Sequence, residues 1–177
     1  MPPKKKDPKA EEPQYVDEQG TFIHEEASAR YAGGIRRFTV QVEASAKKGA
    51  ATPPPTEGAA APPAVLYRHG HGTYSCPTFE YSGEWVMDAL HGKGELHFRQ
   101  SGARYVGELV QGRYEGEGTY SWGDGAQYSG QWRAGRMHGE GTFTERGGSQ
   151  VWRGMYYNGT GPGLERLHRA VLNPATS

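Results

Sequence analysis

YSGQWRAGRMHGEGTF, Tyr128 to Phe143, is the stretch that decides the fold of this chain. It joins the motif Tyr-x-Gly-x-aromatic to a Gly-x-Gly about ten residues later, and the pair returns every 22 to 24 residues. Full copies begin at Tyr81, Tyr105, Tyr128 and, with tryptophan in the tyrosine place, at Trp152. A fixed period in the range of roughly 20 to 50 residues marks a stacked array. Two runs of about six residues, a turn and a connection fill one period, so each repeat predicts one β-hairpin and leaves no room for a helix.

Composition supports an extended architecture. Glycine makes up 27 of 177 residues and hydrophobic residues only 34%, so there is little aliphatic bulk for a thick core. Lys plus Arg and Asp plus Glu number 20 each, and the balance holds in both halves. Nothing here makes the net positive field that drives nucleic-acid binding. The single Cys76 excludes an intramolecular disulfide and a cysteine-based zinc cage. The opening MPPKKKDPKAEEPQ lacks the apolar segment of a signal peptide, and no run approaches bilayer length. The expectation is a soluble, cytoplasmic chain.

Working outward from the repeats, residues 1–19 read as a flexible charged tail, too polar to offset their ordering entropy. Residues 20–42 read as a first, degenerate hairpin strand: Gly20-Thr21-Phe22 matches later Gly-Thr-aromatic triplets, and Tyr31-x-Gly33-x-Ile35 stands where Tyr128-x-Gly130-x-Trp132 stands later. Residues 43–64 form an Ala/Pro/Gly-rich loop inserted at the turn of that hairpin. The regular array occupies 65–163. In 164–177, Leu164, Leu167 and Val171 change to helical spacing, predicting a short C-terminal helix followed by a tail.

Strand alternation puts Tyr81, Gly83 and Trp85 on one face, so rings flank a glycine-floored gap in each unit. Successive units align three rows: Tyr81, Tyr105, Tyr128, Trp152; then Trp85, Leu109, Trp132, Tyr156; then Tyr74, Leu96, Tyr120, Phe143. The structural glycines are Gly83, Gly92, Gly94, Gly107, Gly116, Gly118, Gly130, Gly139, Gly141 and Gly154. They floor the gap beneath the rings, and the Gly-x-Gly pairs are read as turn residues. A one-layer sheet leaves its ring-bearing face without cover, and a large exposed apolar face marks an interaction site. Tyr81, Trp85, Tyr105, Tyr128, Trp132, Trp152 and Tyr156 are the candidate partner-binding residues, because Trp and Tyr dominate binding hot spots. The alternative is that these rings only stack on one another.

The pattern Tyr-x-Gly-x-Trp-x-x-Gly-x-x-His-Gly-x-Gly at Tyr128–Gly141 resembles the MORN repeat, over 67–163 and in part over 20–42. Leu109 for Trp, Glu115 for His and Trp152 for Tyr depart from it. The resemblance implies an all-β fold: an open single-layer antiparallel meander of tandem MORN hairpins, here with a short C-terminal helix and a flexible N-terminal tail. It also implies a non-enzymatic scaffold or adaptor in a large assembly, most often a ciliary or flagellar axonemal complex of the cytoskeleton. Partners implied are other proteins, bound as a helix, a coiled coil or an extended peptide in the aromatic groove. A phospholipid-binding membrane tether is the second reading, supported by the basic run at Lys4, Lys5, Lys6 and Lys9.

Other chemistry is weakly signalled. His69-x-His71 lacks the further ligands of a metal site, so neither metal nor cofactor is expected. His91 and His138 are assigned turn-stabilising hydrogen bonds. The glutamates alternate with aromatics and are assigned to a solvated face rather than a glycosidase pair. No nucleophile elbow, phosphate loop or dinucleotide fingerprint occurs, which argues against an enzyme.

Overall fold

The computed structural model describes residues 15–38 and 64–167. Eleven strands form one sheet: β1 (Tyr15–His24), β2 (Ala29–Phe38), β3 (Val65–Ser75), β4 (Phe79–Val86), β5 (Ala89–Phe98), β6 (Arg104–Val110), β7 (Arg113–Ser121), β8 (Gln127–Arg133), β9 (Arg136–Thr144), β10 (Val151–Tyr156) and β11 (Glu165–Leu167). They follow one another across the sheet in chain order, each antiparallel to the last. No α-helix occurs among the described residues. The fold is the single-layer meander that the repeat period predicts.

Hairpin tips explain the length of the repeat. Met87-Asp88, Gln111-Gly112, Ala134-Gly135 and Asn158-Gly159 all have both residues at positive φ, between 49° and 91°. Such two-residue turns match the right-handed twist of their strands. Each tip is also fastened to the hairpin before it. The N–H groups of Asp88, Gly112, Gly135 and Gly159 donate to the carbonyls of Arg68, Leu90, Tyr114 and Met137 at 2.9–3.0 Å.

Here the Gly-x-Gly reading needs correction. These glycines lie inside strands, at the register shifts that separate Gly83 from Glu84 and Gly107 from Glu108. The first glycine of the pair takes the left-handed conformation, with φ of 78° at Gly70, 58° at Gly92 and 61° at Gly116 and Gly139. The pair is therefore a bulge, which packs extra residues into one strand and strengthens its twist.

At the N-terminal end, the expected tail of 1–19 is too long by at least five residues, since β1 begins at Tyr15. Charge misled the reading. Asp17 and Glu18 look solvated in sequence, but they bridge Arg36 and Arg37 of β2 at 2.7 and 2.6 Å. The Arg36 guanidinium also lies 3.9 Å from the centre of the Tyr15 ring. β2 and β3 pair up to Phe38 and Val65, so these two strand ends are adjacent. Residues 39–63, which hold nearly all of the expected inserted loop, lie outside the described residues, as do 1–14.

The expected C-terminal helix is also corrected where it can be seen. Leu164 packs on the core, and Glu165–Leu167 pairs with Arg153–Val151 as a strand. The free edge of β10 offers backbone partners that three-to-four spacing does not reveal. Residues 168–177 lie outside the described residues.

Candidate functional site

A row of ten glycines crosses the sheet. Gly20, Gly33, Gly72, Gly83, Gly94, Gly107, Gly118, Gly130, Gly141 and Gly154 each stand opposite the next, from β1 to β10. Beside it runs a row of large apolar residues in the same registers: Phe22, Tyr31, Tyr74, Tyr81, Leu96, Tyr105, Tyr120, Tyr128, Phe143 and Trp152. The two rows fit because the tyrosines lie down on the glycines. A Cβ on Gly118 would sit 2.4 Å from the Tyr105 hydroxyl, and one on Gly141 would sit 2.4 Å from that of Tyr128. Only a residue without a side chain leaves room for the ring.

Tyrosine is needed here for its hydroxyl as well as its ring. The Tyr31, Tyr81, Tyr105 and Tyr128 hydroxyls donate to the carbonyls of Gly34, Glu84, Glu108 and Gln131, three residues on, at 2.7–3.0 Å. Those carbonyls lie at or beside the bulge, where the ladder is disrupted and an acceptor is free. The Trp85 and Trp132 indoles reach back one strand to the carbonyls of Gly72 and Gly118, at 3.2 and 3.0 Å. Burial pushes the Tyr81, Tyr114 and Tyr128 phenols up to about 12, and that of Tyr105 higher still.

Six of the seven candidate binding residues belong to the core. Tyr81, Tyr105 and Tyr128 have 0% exposure, and Trp85, Trp132 and Tyr156 are buried with them. A side chain without exposed surface offers a partner nothing to touch, so these rings are the packed interior of a one-layer protein. Edge-to-face contacts link them: Tyr81 to Trp85 at 5.2 Å and Tyr128 to Trp132 at 5.1 Å between ring centres. Trp152 is half-buried and donates to the Glu145 carboxylate at 3.0 Å. Of the assigned histidine roles, the main chain carries what is seen. The carbonyls of His91 and His138 lie 3.4 and 3.5 Å from the Tyr81 and Tyr128 hydroxyls.

The accessible surface on this face comes from a second set of residues. Phe79, Leu90, Phe98, Tyr114, Tyr120, Trp122 and Met137 are partly buried against the core. They line two adjoining depressions, one bounded by Phe79, Phe98 and Tyr114, the other by Tyr114, Tyr120, Trp122 and Met137. Arg113 flanks the first and Arg136 the second. The result is a continuous apolar groove over β4–β9 with cationic margins. Sequence reasoning missed most of these residues. One signal was available: Leu90, Tyr114 and Met137 each come five residues after Trp85, Leu109 and Trp132.

Leu109 departs from the repeat without leaving a hole. Trp85 faces Leu90, Trp132 faces Met137, and Leu109 faces Tyr114. Tyr114 stacks on Tyr105 with ring centres 3.8 Å apart, and Leu109 has no exposed surface. The large and small members of the pair have exchanged strands. Glu115, in a histidine position, instead reaches the next tip, where its carboxylate accepts the Ala134 N–H at 2.8 Å.

This geometry defines a tandem-hairpin repeat protein whose core is a laminate of rings on glycine. The MORN repeat profile matches residues 67–79, 81–102, 105–127 and 128–149, so this part of the chain carries four MORN repeats. It is similar to MORN repeat-containing protein 3 of Xenopus laevis, with 39% identity over 51 residues. That match takes in 29% of this chain and 21% of the relative, so it spans about a fifth of the relative's length.

Proposed function

We propose that this protein is a non-enzymatic scaffold that holds a partner protein in the apolar groove between Phe79 and Met137. The observation that carries this reading is a broad apolar face with no second layer over it among the described residues. Exposed apolar patches of this kind mark interaction sites. The occupant that fits best is an amphipathic helix. A helix lays an apolar stripe on a sheet face, and carboxylates beside that stripe meet Arg113 and Arg136. An extended peptide instead needs a free strand edge, which the groove does not provide. The proposed setting, a ciliary or flagellar assembly, rests on family resemblance and not on a particular residue.

The test is affinity capture of tagged protein from ciliated cells, comparing wild type with a Phe98→Ser, Trp122→Ser double variant. Both side chains are partly exposed, so the fold should survive, which circular dichroism verifies. Selective loss of axonemal partners supports the proposal. An unchanged partner set counts against the groove, and binding to anionic vesicles at physiological salt would favour the membrane-tether reading.

A further inference from the structure

β1 differs from the strands that share its sequence grammar. β3, β5, β7 and β9 carry Gly-x-aromatic or Gly-x-Leu at the glycine row, and each lies between two aromatic-x-Gly strands. β1 carries Gly20-Thr21-Phe22 and has one such neighbour, β2. Among the described residues nothing pairs with its other edge.

That edge lacks the usual defences. Edge strands are normally short, or carry Lys, Pro or unpaired charge that discourages pairing. β1 has 10 residues and contains no Lys, Arg or Pro. Its two carboxylates, Asp17 and Glu18, are committed to Arg36 and Arg37. Val16 and Ile23 are 58% and 66% exposed. At the opposite end of the sheet, β11 has 3 residues, two of them the charged Glu165 and Arg166.

What covers such an edge follows from the pairing rule of the sheet. Glycine faces glycine, and ring or leucine faces ring. The threonine after the glycine sets no such rule: Thr73, Thr119 and Thr142 each face a serine on one side, but Ala32, Val106 and Arg153 on the other, and Thr21 faces Ala32. The complement of Gly20-Thr21-Phe22 is therefore an antiparallel aromatic-x-Gly strand. All five aromatic-x-Gly strands of this chain already have neighbours on both sides. Residues 1–14, 39–63 and 168–177 contain no aromatic residue, so they cannot supply another.

We infer that the outer edge of β1 is a docking site for an extended aromatic-x-Gly strand of a second polypeptide, with its glycine opposite Gly20 and its ring opposite Phe22. Main-chain hydrogen bonds supply the affinity, and the glycine row supplies the register. A bulkier residue in the glycine place of an aromatic-x-Gly strand meets the tyrosine of its own strand, as a Cβ would at Gly33, Gly83, Gly107 and Gly130.

The experiment titrates the full chain with a fluorescent peptide of sequence FEYSGEWV, the β4 strand, and maps the complex by hydrogen–deuterium exchange. Expected is saturable one-to-one binding that slows exchange in Tyr15–His24 and leaves β4–β9 unchanged. A peptide with its glycine replaced by valine should bind about tenfold more weakly or worse, a difference of roughly 1.4 kcal/mol. The inference is overturned by equal binding of the valine peptide, or by no saturation at concentrations on the order of 1 mM. It is also overturned by protection confined to the groove, or by self-association through β1 that excludes the peptide. Groove variants at Phe98 and Trp122 should leave this binding intact, so the two sites stand or fall separately.

Discussion

Leu109 and Tyr114 stand directly opposite one another and stack their bulk in reverse order to the Trp85–Leu90 and Trp132–Met137 pairs of neighbouring hairpins. Each of these three hairpins holds one large ring in this position, and which strand supplies it is open to exchange. Restoring the repeat's tryptophan at this site should therefore harm the protein. Leu109→Trp is expected to overpack against Tyr105 and Tyr114 and cost about 1–3 kcal/mol. Adding Tyr114→Leu should recover most of the loss. A double-mutant cycle in urea measures the coupling, and simple additivity would show that the two sites do not share one space.

The glycine row makes a second expectation specific to position. Gly118→Ala forces a Cβ to 2.4 Å from the Tyr105 hydroxyl and should destabilise by about 2 kcal/mol or more. Gly112→Ala meets nothing within 4 Å but sits at φ 74°, so its cost should be about 1 kcal/mol. Gly112→Asn should cost less than Gly112→Ala, because asparagine tolerates the left-handed conformation. Chemical denaturation ranks the three variants, and an alanine at 118 as mild as one at 112 would contradict the laminate.

Tyr105→Phe keeps the ring and removes the hydroxyl. The Glu108 carbonyl then loses its donor at the bulge, and stability should fall by about 1–2 kcal/mol. The same change at Tyr114, for which no hydroxyl hydrogen bond is seen among the described residues, should cost less. Urea midpoints of the two variants compare them directly.

Alkaline pH should loosen the array. The phenols of Tyr81, Tyr114 and Tyr128 are raised from an ordinary 10.0 to about 12 by burial. Their folded pKa lies above the unfolded one, so stability is complete below pH 10 and declines as pH climbs toward 12. Urea midpoints should hold steady up to about pH 9 and then drop, with tyrosinate absorbance rising in step. A flat midpoint through about pH 11 would show that these rings are solvated.

Much of this architecture is legible in the sequence because its physics is local and periodic. Tyr128, Gly130 and Trp132 announce strand alternation, and their recurrence announces the meander. What stayed hidden depends on neighbours in space. Asp17 and Glu18 look like tail charges until Arg36 and Arg37 are seen beside them. Leu164 and Leu167 suggest a helix until the free edge of β10 is known. The candidate binding rings were identified by type and face, but a one-layer sheet also needs an interior. The tyrosine and tryptophan rows are that interior, and the more weakly patterned Phe79, Phe98, Tyr114 and Trp122 are left outside.

Fastening each hairpin tip to its predecessor, as Gly112 is to Leu90 and Gly135 to Tyr114, turns repeat number into a yardstick. One added hairpin lengthens the ribbon by two strand spacings, about 9.6 Å, while every existing joint keeps the same neighbours. Evolution or an engineer can thus change the reach of such a ribbon in fixed increments, without redesigning the hairpins already in place.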